Sequence, residues 1–178
     1  MSLEKAQGKI SLNVDGVFCI SIKEREDRRE LLRKEFLSLE NKIEFILVER
    51  DHENGERGCF NSHLMCAQIA LERGYNRVLI LEDDATLLPT SQKQIKRLNL
   101  FLKLRNPELF YLGGMLGRMW IIPFMNVVRC RLTGTQAYIL SRKGCERLSQ
   151  MTYQGKAIDG LYCRKFKAYG TYPMISQQ

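Results

Sequence analysis

The sequence predicts an α/β domain with a mostly parallel central sheet flanked by helices. Three observations predict it. Short apolar runs rich in β-formers alternate with amphipathic stretches along the chain. Arg77-Val78-Leu79-Ile80-Leu81 reads as the strongest buried strand. The 178 residues, 44% hydrophobic and 27% charged, suit one globular domain with its own core and exclude a disordered or fibrous chain. Residues 1–15 read as an N-terminal extension, partly disordered, ahead of a single domain over 16–178.

The elements follow in order. Val17 to Ile22 is a buried strand. A helix after the charged run Lys23 to Arg29 extends to about Leu39, with Leu32, Phe36 and Leu39 at helical spacing. Ile43 to Val48 is the second strand. Asp51 to Gly58, polar and bounded by glycine, reads as a loop. The next helix is expected to start near Asn61-Ser62, both good N-cap types, and to stop at Gly74. The strand at 77–81 ends abruptly in Glu82-Asp83-Asp84. Pro89-Thr90-Ser91 opens a helix carrying Ile95, Leu98, Phe101 and Leu102 on one face. Leu109 to Leu112 is a strand halted by Gly113-Gly114. Met115 to Val128 has no clear pattern, and its Trp120 is expected in the core. Thr135 to Leu140 is a strand, Ser141 caps a short helix, and Tyr169 to Tyr172 is a final extended stretch.

The charge raises the first functional question. There are 28 Lys+Arg against 20 Asp+Glu, a formal net charge of +8. Taken alone this suggests a polyanionic partner, nucleic acid being the first guess. No helix-turn-helix, RRM or zinc-finger pattern is present, and the aromatics are not interleaved with basic residues, which argues against that guess. No apolar run approaches the roughly 20 residues of a membrane span. The polar start, Met1 to Gly8, has no signal-like apolar region, which predicts a cytoplasmic protein. The six cysteines show no CxxC spacing and read as reduced, partly buried thiols. With His52 and His63 the only histidines, a structural zinc site is rejected.

Ligands in open α/β sheets sit at the carboxyl ends of strands. Glu82-Asp83-Asp84 is at such an end. Three adjacent carboxylates repel one another, which favours protonation or capture of a cation. Hard oxygen ligands suit Mg or Mn, which complete their shells with substrate phosphates. Phosphoryl, nucleotidyl and glycosyl transfer remain open on this ground, as does a plain solvated turn. A metal-dependent phosphoesterase would want more acids or histidines at other strand ends than this chain offers.

Gly55-Glu56-Arg57-Gly58-Cys59-Phe60-Asn61-Ser62-His63, then Glu72-Arg73-Gly74-Tyr75, then Val78 to Asp84, resemble glycosyltransferase family 25, the lipopolysaccharide-type and collagen-type sugar transferases. Arg25-Glu26-Asp27-Arg28, Tyr111-Leu112-Gly113-Gly114, Thr135 to Ser141 with Gly144, Ile158-Asp159 and Tyr169 to Ser176 fit the same family in order. The resemblance spans about residues 16–176.

It implies a GT-A-type, Rossmann-like nucleotide-sugar domain, a UDP-sugar donor and a divalent metal, Mn or Mg. The transferred sugar would be a hexose, galactose or glucose, moved with inversion to a hydroxyl of a glycan or anionic glycolipid such as lipooligosaccharide. Asp84 would bind the metal with Glu82, while Glu82 and Asp83 contact the ribose or a metal-bound water. Ser21, Arg25 and Arg28 would face the nucleotide. His63 would brace the acidic loop or touch the diphosphate, and Cys59 is read as packing. Gly113 and Gly114 would allow close backbone approach to a ligand, and Asp159 would be the general base.

The chain departs from the family at Ser21 and Lys23, where Asn and Asp are usual, and at Gly160, where a second acid often follows. These departures leave open a catalytically weak or inactive UDP-sugar-binding relative. From Gly113 to Ile158 there are seven basic residues and one acid, Glu146, so 7 − 1 places +6 of the +8 in the half expected to meet the acceptor. That charge implies an anionic acceptor and contact with the inner face of a membrane.

Overall fold

The alternation of strand and helix patterns builds ten strands and five helices among the residues described, 8–123 and 125–178 of a computed structural model. The strands are β1 (Gly16–Ile22), β2 (Ile43–Val48), β3 (Arg77–Glu82), β4 (Thr86–Leu87), β5 (Leu109–Tyr111), β6 (Gly117–Ile122), β7 (Val127–Leu132), β8 (Ala137–Ser141), β9 (Ala168–Thr171) and β10 (Ser176–Gln177). The helices are α1 (Glu26–Glu35), α2 (Gly55–Glu72), α3 (Gln92–Arg105), α4 (Arg142–Ser149) and α5 (Ile158–Lys165). Eight strands form one sheet in the order β2-β1-β3-β8-β5-β9-β7-β6, and β10 pairs with β4.

The sheet is mixed. β1 is parallel to both β2 and β3, and each neighbour is reached through a helix, the crossover a parallel pair needs. Beyond β3 the pairs are antiparallel except β5–β9. The α/β class therefore holds, with its parallel part confined to β2-β1-β3 and β5-β9.

The period-2 geometry of a strand sorts the core into two layers. Cys19, Leu79, Leu81, Phe110 and Ile139 pack with Leu32 of α1 and Ile95, Leu98 and Phe101 of α3. Phe18, Ile80, Tyr111 and Tyr138 pack on the other face with Phe60 and Ala67 of α2, Leu148 of α4 and Tyr162 of α5. Val78 to Leu81 are fully buried, each worth about 1.5–3 kcal/mol of transfer free energy for the large side chains. Ile10 and Leu12 belong to the α1–α3 layer, so the described part of the N-terminal extension packs on the domain; residues 1–7 of that extension lie outside the described residues.

Two local expectations are corrected. α2 starts at Gly55, not near Asn61, because Asn54 caps it through its side chain, which accepts from the Arg57 amide. The Gly-x-x-Gly-Cys segment is thus helical. Met115 to Val128 contributes the β6–β7 hairpin at the sheet edge, and Trp120 is 51% exposed there instead of buried. An edge strand has only one neighbour to cover it. Phe124 lies outside the described residues. No described helix is long and apolar enough to cross a membrane.

Candidate functional site

β1 sits between β2 and β3, while α1 and α2 pack on opposite faces of the sheet. Chains diverge at such a point and leave a crevice beyond the carboxyl ends of the strands. A cavity of about 480 Å³ lies there, walled by Ser21, Val48 and Glu82 to Asp84 at strand ends, Arg28 of α1, and Gly58, Cys59 and His63 of α2. Gly55 in the first turn of α2, and Gly58, Cys59, Ser62 and His63 along one side of that 18-residue helix, line this space.

The loop before α2 is braced. Asp51 accepts from the Glu53 and Asn54 amides, and Arg57 grips it through Nε at 2.6 Å and Nη2 at 3.0 Å. That pairing holds the Asp51 carboxyl down at about 2. A Cβ on Gly58 would lie 2.8 Å from the Asp51 Cβ, so glycine is needed for this close packing.

The three acids have different partners. Arg28 Nη1 donates to Asp83 Oδ1 at 3.0 Å and to Asp84 Oδ2 at 3.1 Å. Ser21 Oγ donates to Asp83 Oδ2 at 2.8 Å, and Gln178 Nε2 to Asp84 Oδ2 at 3.0 Å. Asp84 Oδ1 is buried and has no hydrogen-bond partner among the described residues. Glu82 turns to the other face of the sheet, where Thr135 Oγ1 donates to its Oε1 and His63 Nε2 lies 3.4 Å away.

His63 is 1% exposed. Its Nδ1 is 2.7 Å from the Tyr138 hydroxyl, which is 3.0 Å from the Tyr162 hydroxyl. A polar chain therefore runs from the cavity into the core. Burial opposes a charged imidazole, but the Cys59 sulfur and the Glu82 carboxylate outweigh it, and the His63 value is pushed up to about 9. Burial also raises Glu82, yet the neighbouring His63 imidazole and the Thr135 hydroxyl hold it below the ordinary carboxylate value. Burial pushes both phenols up, so they stay protonated.

Ser21, Arg28, His63, Glu82, Asp83 and Asp84 are thus brought together. Four expected residues stand elsewhere. Arg25 forms a two-bond pair with Asp27 on the surface. Gly113 and Gly114 do not line the cavity. A Cβ on Gly113 would lie 2.2 Å from the Ser176 carbonyl oxygen, and one on Gly114 2.8 Å from Leu132 Cδ1. These glycines admit the close approach of the chain's own C-terminal strand and hairpin. Asp159, in the first turn of α5, accepts from the Gly134 amide at 3.5 Å. Lys23 pairs with Glu49 at 2.8 Å, and Gly160 faces the Arg164 guanidinium.

Cys59 corrects the packing expectation. It is exposed in the cavity wall, and its Sγ lies with one His63 nitrogen and one Glu82 oxygen within 4.8 Å. Its four-residue spacing from His63 on a helix was the available signal. Two positions could hold a cation: this mixed-ligand group, and the orphaned Asp84 oxygen, whose chemistry fits a hard ion bound by one or two carboxylates and substrate phosphates.

Residues 48–133 match the family model described as Glycosyltransferase family 25 (LPS biosynthesis protein). No curated protein sequence matches the chain. Among solved structures the chain is similar to A197 from STIV, with 12% identity and a TM-score of 0.52, covering 90% of this chain and 81% of that one. This likeness shows the fold alone. A glycosyltransferase involved in the glycosylation of the major capsid of PBCV-1 is a weaker likeness, at 14% identity and TM-score 0.42, covering 84% and 68%. So is mannose-1-phosphate geranyltransferase from Thermus thermophilus, at 11% and 0.41, covering 86% and 58%. Residues 48–133, which carry α2, the acidic turn and most of the cavity wall, thus bear the signature of glycosyltransferase family 25, and the match supports glycosyl transfer as the class of activity.

Proposed function

We propose that the chain transfers a hexose, galactose or glucose, from a UDP-sugar to a hydroxyl of a glycan or anionic glycolipid, with inversion and with Mn or Mg. The observation that carries this reading is the cavity itself. It joins an acidic strand end, an arginine and a helix N-terminus, the set a nucleoside diphosphate and its cation need. Asp84, through Oδ1, would hold the ion with Asp83 beside it; Glu82 is engaged by His63 and Thr135. When bound, the ion supplies Lewis-acid stabilisation of charge on the leaving diphosphate.

The chain's own groups do the rest. Arg28 adds a charge-assisted donor for phosphate. Asp159 would take the proton of the acceptor hydroxyl. Asp159 is outside the cavity wall and is tied to it through Gly134, whose amide donates to it, and Thr135, which donates to Glu82.

The acceptor side of this reading rests on the β6–β7 hairpin. Met115, Leu116, Met119, Trp120 and Ile121 are exposed there. Arg118 pairs across with Arg131, and Trp120 with Arg129. No acid occurs between Glu108 and Glu146. A cationic strand pair with exposed aliphatic residues suits an anionic glycolipid in a membrane surface. A cytoplasmic enzyme working at the inner face of a membrane is the setting we propose.

Two observations favour a second reading, a relative that binds UDP-sugar and turns over weakly. Arg28 already bridges Asp83 and Asp84, and Gly160 puts no carboxylate next to Asp159. Turnover separates the two. On the transferase reading, Asp159→Asn lowers the rate of transfer by roughly 10²–10⁴-fold and leaves donor affinity intact. Equal rates for Asp159→Asn and the parent chain would remove Asp159 as base.

A further inference from the structure

Cys59, His63 and Glu82 make a side-chain group in the cavity wall beside the hard-ion position at Asp84. Cys59 and His63 stand one helical turn apart on the same face of α2, and Glu82 ends β3 opposite them. The His63 Nε2 to Glu82 Oε1 separation is 3.4 Å. An N–H···O hydrogen bond would be about 2.7–3.2 Å. Two ligands on one tetrahedral ion, with zinc bonds near ~2.05 Å, stand ~3.3–3.4 Å apart. The sulfur lies within 4.8 Å of both other atoms. It needs to close by at most about 1.3 Å to reach the ~3.5 Å sulfur–nitrogen edge of such a site, and Cys59 is exposed and has room to turn.

We propose that Cys59, His63 and Glu82 form a binding site for a borderline-soft divalent ion of the zinc class, with its fourth position open to the cavity. The outer contacts are those such a site needs. The Tyr138 hydroxyl, 2.7 Å from Nδ1, fixes the imidazole so that Nε2 is the ligand. Thr135 donates to the Glu82 carboxylate and orients it. The ligand set is one sulfur, one nitrogen and one oxygen. A thiolate in the set selects against Mg and Mn, which separates this site from the hard-ion position at Asp84. Sequence spacing argued against a zinc cluster; the fold assembles these ligands from two elements, with His63 and Glu82 19 residues apart in the chain.

Cobalt(II) tests this in the metal-free full chain, because tetrahedral thiolate complexes give intense visible bands and a sulfur-to-metal charge-transfer band. One equivalent of Co²⁺ is expected to give both, and Zn²⁺ is expected to displace it. Cys59→Ser, a change at an exposed position, should remove the charge-transfer band and weaken Zn²⁺, measured against a chromogenic chelator, by at least ~10-fold. Cys163→Ser and Asp84→Asn should change neither. An octahedral cobalt spectrum without the band overturns the proposal. So does unaltered zinc affinity in Cys59→Ser, or loss of the band in Cys163→Ser or Asp84→Asn instead. No sugar donor is present in these measurements, so they stand or fall apart from the transferase reading.

Discussion

Gly113→Ala separates two roles for the Tyr-Leu-Gly-Gly segment. The added methyl would lie 2.2 Å from the Ser176 carbonyl oxygen and 2.8 Å from its carbon, both backbone atoms. That backbone is held by the Ile175 and Ser176 amides, which donate to the Leu112 carbonyl at 2.9 and 3.1 Å. The variant has two responses. If the C-terminal strand stays, overpacking costs about 1–3 kcal/mol. If it moves, two hydrogen bonds of about 1 kcal/mol each are lost. Either way the loss is about 1–3 kcal/mol, and for a chain of this length the melting temperature falls by ~2–12 °C. Displacing the strand also withdraws Gln178 from Asp84. Thermal unfolding with parallel donor-binding titrations reads both effects. A variant that melts like the parent but fails to bind donor would refute the reasoning and return the glycine to the ligand.

Three further outcomes follow from the same contacts. Arg28→Ala, whose pairs with Asp83 and Asp84 are partly exposed, should change stability by no more than about 1 kcal/mol, yet weaken UDP binding in calorimetry by ~10-fold or more through a lost charge-assisted bond. Asp51 has a folded-state value of about 2, below its ordinary 3.8, set first by Arg57 and then by the Asn54 amide. Its contribution is therefore complete above about pH 4 and lost as pH falls through 2, so the protection of the Glu53 and Asn54 amides, relative to their intrinsic exchange rates, should fall over that window, and Arg57→Ala should move the onset to higher pH. Trp120 is the chain's one tryptophan, so its fluorescence should shift to the blue with anionic vesicles and not with zwitterionic ones. Trp120→Ala should weaken vesicle binding with stability changed by only ~0.5 kcal/mol; a parent spectrum indifferent to anionic lipid would count against the hairpin's role.

What was legible in the sequence is what local pattern determines. Short continuous apolar runs placed the strands through Leu81, Tyr111 and Leu140, the period-3.6 pattern placed the helix with Ile95 and Leu98, and Ser91 and Ser141 cap as their residue type suggests. The acids at the end of β3 stood out because they follow a buried run. The start of α2 was hidden because Gly-Glu-Arg-Gly has loop composition, while the helix is begun by Asn54 and by the Asp51–Arg57 pair. With that start misplaced, the common face of Cys59 and His63 was invisible. Trp120 was misjudged because exposure depends on β6 being the last strand, a consequence of sheet order. Gly113 owes its role to Ser176, far along the chain, and no local pattern reports such a contact.

The central claim is that a nucleoside diphosphate and its cation occupy the cavity at the ends of β1, β2 and β3. Amide chemical shifts of the labelled chain, recorded with UDP and Mg²⁺ and again with excess chelator, test it most directly. The account predicts metal-dependent shifts clustered at Ser21, Gly58, Cys59, Ser62 and Asp84, and none along Gly117 to Leu132. Shifts confined to the hairpin, or no shifts in the presence of the metal, would contradict it.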